Sequence, residues 1–299
     1  MKASSNYFRI ADFLVNISFA ESKYNGIHLI PSFSAFATEA CAEPLLFTLT
    51  VDDTVKPVAK EERERIRRFD TGNGETVVDR LKDGGYQFII KDLNNKECSL
   101  LIADSHFTCC RCALNGNYDM RCFGLNNVLM LAFAFSACFK KALLIHASLV
   151  RHDGYGYAFN AKSGTGKSTQ VSLWLRHIPN CDLMNDDNPV IRMIDGKPYI
   201  YGSPWSGKTP CYRNTKAPLG AITRIDRAKE NSIEELSPTE AFGSVLTSCS
   251  TMRWDGEIFE NIFQAVREVI ETTKIYTLHC LPNKEAAIIC NQKIKIKTT

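Results

Sequence analysis

The chain carries no internal repeat and no low-complexity segment, so it reads as a folded globular sequence rather than a solenoid or a linker. An excess of one charge is also missing. Lys and Arg number 36 against 33 Asp and Glu, a net charge of +3, too little to indicate nucleic acid without a clustered basic face. The one dense charge run, residues 60–68, mixes signs and reads as a solvated surface segment or short helix. Long apolar runs are absent too. The longest, residues 128–139, is too short to span a bilayer and runs into Lys140 and Lys141, which predicts a buried helix. Residues 1–6 lack an apolar signal core and a small-residue cleavage site, so no membrane role and a cytoplasmic location are expected.

Cysteine is not scarce: there are 12, scattered along the chain, and a cytosolic protein keeps them as thiols. The segment His106-Phe107-Thr108-Cys109-Cys110-Arg111-Cys112 holds one Cys-x-x-Cys pair, with Cys122 further on. A closed zinc site needs four convergent ligands. Residues 107–114 also read as a strand, whose alternation turns Cys109 and Cys112 to opposite faces, and no zinc is expected.

At 299 residues the chain can bury a sizeable core in one or two domains. Residues 1–122 read as mostly β, with strand patterns at 7–19, 45–51, 75–81, 86–91, 99–103 and 107–114. Asp83-Gly84-Gly85 and Asn94-Asn95-Lys96 supply turns, giving a meander that serves as scaffold or acceptor recognition. From 123 to 299 the pattern becomes α/β. Ser237-Pro238-Thr239-Glu240 is a capping box with Pro at the first helical position. Residues 256–272 predict a helix with Ile258, Ile262, Ala265, Val266 and Val269 on one face. A strand at 274–281 and a short helix after Pro282 follow.

What is present is a phosphate-binding signature of the Walker A type. Ala161-Lys162-Ser163-Gly164-Thr165-Gly166-Lys167-Ser168, followed by Thr169, fits a loop whose backbone N–H groups converge on a polyphosphate. In such a loop Lys167 reaches the β/γ-phosphates and the Ser168 hydroxyl takes Mg²⁺. Residues 155–159 before it read as a strand. Residues 167–178 after it read as a helix, with Val171, Trp174, Leu175 and Ile178 at helical spacing and Pro179 as the stop.

Two further features narrow the chemistry. Residues 181–187 form a short strand pattern ending in Asp186-Asp187. One carboxylate can help hold Mg²⁺ while the other takes a proton from an attacking hydroxyl. The alternative is that Asp187-Asn188-Pro189 makes a turn and Asp186 alone binds metal. Upstream, residues 142–150 predict a strand and Asp153-Gly154 a tight turn, so the loop-bearing strand is expected to be the second arm of a hairpin. His146, flanked by apolar residues, reads by itself as a core histidine more readily than as a catalytic one.

The ordered set Ile145-His146-Ala147-Ser148, Asp153-Gly154, Ser163 to Ser168 and Asp186-Asp187 resembles HPr serine kinase/phosphorylase and its relatives, with Ala217 to Ile222 and Ser237 to Ala241 adding to the likeness. The resemblance covers residues 143–241 and implies an α/β fold: a P-loop kinase domain of the HPr kinase/phosphoenolpyruvate carboxykinase-like type, preceded by the mostly β region. It implies an ATP- and Mg²⁺-dependent kinase acting on a hydroxyl of a protein, a peptide or a small metabolite. By the same resemblance, Lys167 binds the phosphates, Ser168 and Asp187 the metal, Asp186 is the general base, and His146 sits beside the reacting phosphate.

Residues 201–208, where the family carries a glutamate, hold no acidic residue. That motivates an alternative, a non-catalytic nucleotide-binding regulator or scaffold. Lys208 and Arg213 stand as further phosphate or acceptor contacts. A carboxykinase is the weaker alternative, since nothing points to a Mn²⁺-liganding histidine–lysine pair. A GTPase is weaker still, since no Asn-Lys-x-Asp element follows the loop. The sequence leaves the acceptor and the oligomeric state open.

Overall fold

The computed structural model describes residues 4–70, 72, 74–162 and 164–296. It divides into two compact units, Met1–Phe139 and Lys140–Thr299. The division expected at 122/123 falls inside a helix, α1 (Tyr118–Ala137), which packs on the sheet of the first unit. The boundary therefore follows that helix instead of preceding it.

In the first unit, nine strands among the described residues form one sheet: β1 (Ser4–Ile10), β2 (Phe13–Phe19), β3 (Ala37–Thr38), β4 (Leu45–Val51), β5 (Arg63–Asp70), β6 (Glu75–Leu81), β7 (Tyr86–Lys91), β8 (Glu97–Ala103) and β9 (Cys109–Leu114). Their order is β3-β1-β2-β4-β9-β8-β7-β6-β5. The run from β5 to β9 is the expected antiparallel meander, while β4 pairs in parallel with both β2 and β9.

One expectation fails in this unit and one is met in part. The single strand read at 7–19 is a hairpin, turned by Ala11 and Asp12 at φ 49° and 62°. Ala-Asp is not a recognised turn pair, so the alternation seemed to run through it. The charge run 60–68 opens on a short 3-10 helix, Lys60–Glu62, and then enters edge strand β5, which is mostly exposed. Arg63 and Arg65 share a face and reach the buried carboxylate of Asp79 on β6, and a bulge near Ile66 then breaks the alternation. Cys109 is exposed and Cys112 fully buried, on opposite faces of β9.

Helix α1 starts at Asn117, whose side chain accepts from the Met120 N–H. By length and composition Tyr118–Lys140 could cross a membrane, which corrects the reading of 128–139 as too short. Polar side chains hid its extent. Asn127 Nδ2 donates to the Phe123 carbonyl at 2.8 Å and Ser136 Oγ to that of Ala132 at 2.6 Å, so both are satisfied within the helix. Of its most apolar window 61% is buried, the pattern of a core helix.

The second unit is mixed α/β. Its strands are β10 (Ala142–Leu144), β11 (Ala147–His152), β12 (Tyr155–Asn160), β13 (Cys181–Asp187), β14 (Val190–Ile194), β15 (Lys197–Tyr201), β16 (Lys216–Arg227), β17 (Ser232–Glu235) and β18 (Ile275–Cys280). The sheet runs β10-β14-β15-β16-β12-β11-β13, with β18 also beside β16 and β17 beside β18. Strands β12, β16 and β18 are parallel. The β11–β12 hairpin turns at Asp153-Gly154, with φ of 47° and 85°, as the Asp-Gly pair predicts. The strand read at 142–150 is interrupted, because Ile145 leaves the ladder to bridge Cys249.

Among the described residues, four α-helices complete this unit: α2 (Lys167–His177), α3 (Pro238–Ser248), α4 (Gly256–Thr272) and α5 (Lys284–Ile294). The capping box forms at Ser237 and Glu240, and the five apolar residues read on α4 are all buried. Helices α2 and α5 cover one sheet face, where Trp174 packs edge-on against Phe159 with ring centroids 5.3 Å apart. Leu175 does not join that face. It is 40% exposed, and Leu173 is buried in its place.

Trp174→Ala should therefore cost about 3–5 kcal/mol, the range for emptying an aromatic core site. Leu175→Ala should stay near about 0.5 kcal/mol, as a surface change does. Urea unfolding of both variants followed by circular dichroism checks this, and equal losses would contradict the packing.

Candidate functional site

One register assembles the site. Strand β11 is antiparallel to both of its neighbours, with Ser148 opposite Phe159 on β12 and opposite Asp186 on β13. The beginning of β11, the end of β12 and the end of β13 therefore lie at one edge of the sheet. The glycine loop leaves β12 at that edge and enters α2. Gly164 and Gly166 take φ of 76° and 133°, values that L side chains rarely adopt. No side chain caps the N-terminus of α2, and the residue before its first turn is Gly166. An uncapped helix start beside a lysine is an anion-binding arrangement.

A cavity of about 380 Å³ opens there, lined by His146, Ser148, Gly164, Gly166, Lys167, Ser168, Thr169, Asp186, Asp187, Gly207 and Lys208. The volume falls within the range of small-molecule sites.

The two aspartates, adjacent in sequence, have different surroundings because the pleat sends neighbours to opposite faces. Asp186 is 4% exposed. Its Oδ1 accepts from Ser148 Oγ at 2.8 Å and its Oδ2 from the Thr209 backbone N–H at 3.1 Å. Asp187 is more open, its side chain 31% exposed. Its Oδ1 lies 3.1 Å from His146 Nδ1, and its Oδ2 accepts from Asn188 Nδ2 at 2.8 Å.

His146 is exposed and half out of the ladder, its backbone N–H donating to the Ser248 carbonyl at 2.7 Å. The core reading of this residue is thereby corrected. Its Nε2 meets Lys167 Nζ at 2.5 Å. A carboxylate only accepts and an ammonium only donates, so these contacts assign one tautomer: neutral, with the proton on Nδ1 and the Nε2 lone pair toward Lys167. Burial lowers the Lys167 pKa, and Asp187 and Asp186 oppose that shift.

A polar hub behind the site fixes the loop from 202 to 209. Asn185, fully buried, accepts on Oδ1 from the N–H groups of Asp187 and Asn188 at 3.2 and 3.0 Å. Its Nδ2 donates to the carbonyls of Ser203 and Trp205 at 3.3 and 3.1 Å. Ser203 Oγ donates to the Asn188 carbonyl at 2.6 Å. Gly207 then approaches so closely that a Cβ there would stand 2.7 Å from the Asp186 carbonyl oxygen.

Not every expected residue arrives. Gly164, Gly166, Lys167, Ser168, Thr169 and Lys208 line the cavity. Ala161 and Lys162 do not, Thr165 faces a second cleft, and Ser163 lies outside the described residues. Arg213 is held elsewhere, bonded to Asp182 Oδ2 at 2.6 Å and to the Leu183 carbonyl. The sequence reading missed Arg227, at the end of β16. Its Nε and Nη2 donate to the carbonyls of Thr165 and Gly164 at 3.0 and 2.5 Å, bracing the loop from a residue 62 positions away. No local pattern signals so distant a contact.

No family model matches the chain, and no curated protein matches it. Among solved structures, the HPr(Ser) kinase/phosphatase from Coxiella burnetii is weakly similar, with a TM-score of 0.31 and 7% identity over 50% of this chain and 86% of that one.

Proposed function

We propose that the chain is a phosphotransferase that moves the γ-phosphoryl group of ATP to a hydroxyl acceptor. One observation carries this reading: a lysine at an uncapped helix start, two carboxylates and an imidazole line the same cavity. Phosphoryl transfer needs mostly positioning and charge neutralisation, which such a set supplies.

Lys167 would exchange His146 for phosphate oxygens, and the α2 N-terminus would receive the anion. Asp186 would accept the proton of the acceptor hydroxyl as its oxygen bonds to the γ-phosphorus and the bond to the β–γ bridging oxygen breaks. Ser148 and the Thr209 N–H keep that carboxylate oriented, each oxygen retaining a free lone pair. Asp187 would hold the His146 ring in its Nδ1–H form, with Nε2 turned into the cavity.

Mg²⁺ fits the donor set. Ser168 and Asp187 offer hard oxygens, and among the described residues no group of three or more His, Cys, Asp or Glu makes a protein-only cage. When bound, Mg²⁺ supplies charge neutralisation across the β- and γ-phosphates.

A second reading, a nucleotide binder without turnover, draws on the burial of Asp186 and the lack of an acidic residue in 201–208. The two readings separate in one experiment. The purified protein is incubated with γ-labelled Mg-ATP and a lysate, and the labelled product is identified. A labelled phosphomonoester supports the kinase, and nucleotide binding with no labelled product supports the binder.

Asp186→Asn should lower transfer by about 100-fold or more, the usual share of a general base, with nucleotide affinity unchanged. Turnover equal to wild type would remove Asp186 from that role. Lys167→Met should instead weaken nucleotide binding itself, measured by titration calorimetry. Removing divalent metal with EDTA should stop transfer, and re-addition of Mg²⁺ should restore it.

A further inference from the structure

Ser148 is the second residue of β11 and is 1% exposed, yet it lines the cavity together with Gly164, Gly166 and Lys167. Its Oγ donates to Asp186 Oδ1 at 2.8 Å, while the Thr209 N–H holds the other oxygen of that carboxylate at 3.1 Å. A hydroxyl bonded to a base that a third group orients is the arrangement that activates a nucleophile. Ser168 and Thr169 also line the cavity. Of these three hydroxyls, Ser148 alone donates to a carboxylate among the described residues. A serine that merely satisfied a buried aspartate would need no place in the cavity wall, and Ser148 has one.

The surroundings can also carry the product. A phosphoryl group on Ser148 would bring about −1.5 to −2 charge at pH 7. Asp186 and Asp187 repel such a group, and Lys167, Lys208 and the uncapped start of α2 offset that repulsion. Burial restricts how the serine is reached. Only a phosphate held in the cavity of the same chain can approach it.

Resting on the phosphotransferase reading, we propose that Ser148 is itself a phosphoryl acceptor, modified by its own chain when no other hydroxyl occupies the cavity. Ser148 Oγ bonds to the γ-phosphorus. The bond to the β–γ bridging oxygen breaks, its electron pair leaving with ADP, and the hydroxyl proton passes to Asp186 Oδ1. The products are ADP and a phosphomonoester on β11.

The full-length protein is incubated with γ-labelled Mg-ATP and no added acceptor, then digested with trypsin. Cleavage after Lys141 and Arg151 releases residues 142–151, whose one hydroxyl side chain is Ser148 and whose other candidate is His146. Label should appear on this peptide, survive acid as a phosphoserine does and a phosphohistidine does not, and map to Ser148 by fragmentation. The rate per chain should not change with protein concentration. Ser148→Ala should remove the label, Ser148→Thr should keep it, and Asp186→Asn should slow its appearance by about 100-fold or more. Calorimetric titration with Mg-ATP shows which variants are folded, and the position of the wild-type label decides the proposal even if one is not. An unlabelled 142–151 peptide, from protein that still labels an acceptor in a lysate, overturns the Ser148 assignment and leaves the phosphotransferase standing. Acid-labile label on His146, or a rate per chain that rises with protein concentration, overturns it as well. Neither labelled protein nor labelled product overturns the assignment and the phosphotransferase together.

Discussion

The site depends on the antiparallel register of β11. Because Ser148 faces Phe159 on one side and Asp186 on the other, three chain segments must end or begin at the same sheet edge. A slip of one residue on either side would turn the side chains of the slipped strand to the opposite face. The hairpin turn at Asp153-Gly154 fixes one side of that register and the bulge near Leu149 adjusts the other. His146 profits from the interruption just before β11. Outside the ladder, its ring swings to the mouth of the glycine loop instead of packing among Leu144 and Leu149.

Holding polar groups in place behind such a site is costly unless each is satisfied. Asn185 and Ser203, both fully buried, answer this by exchanging bonds with one another and with the backbone on either side. The loop from 202 to 209 is thereby fixed by hydrogen bonds rather than by apolar packing alone. It delivers the Thr209 N–H to Asp186 and brings Gly207 against the strand. Arg227 does the equivalent for the glycine loop, whose carbonyls would otherwise face solvent.

Much of this was legible in the chain because it is local. The Asp-Gly hairpin, the capping box at Ser237 and the buried stripe of α4 each follow from spacings of a few residues. The spacing of 161–168 and the strand end at 181–187 pointed to residues of which Gly164, Gly166, Lys167, Ser168, Asp186 and Asp187 do line one cavity. What the chain did not disclose is long-range or hidden by composition. Arg227 reads as an unremarkable surface arginine. Arg63 and Arg65 of β5 read as part of a solvated run because their shared partner, Asp79, lies on the next strand. Asp119, Arg121, Asn126 and Asn127, all ahead of Val128 in α1, disguised a helix of twenty residues as an apolar run of twelve. Arg213 failed for the same reason in reverse: its charge is spent on Asp182.

The charge balance of the cavity bears on what can enter it. Lys167 and Lys208 stand against Asp186 and Asp187, and His146 is neutral in the tautomer its contacts assign. The lining residues therefore sum to zero formal charge. A bare polyphosphate would bring its own negative charge against two carboxylates that no spare cation offsets, in a recess where screening is weaker than in bulk water. On the phosphotransferase reading, a divalent cation arriving with the phosphates would reverse that balance, with Asp187 among the residues that would hold it. The lysine–histidine–aspartate chain would then be neutralised internally until such an anion displaced it.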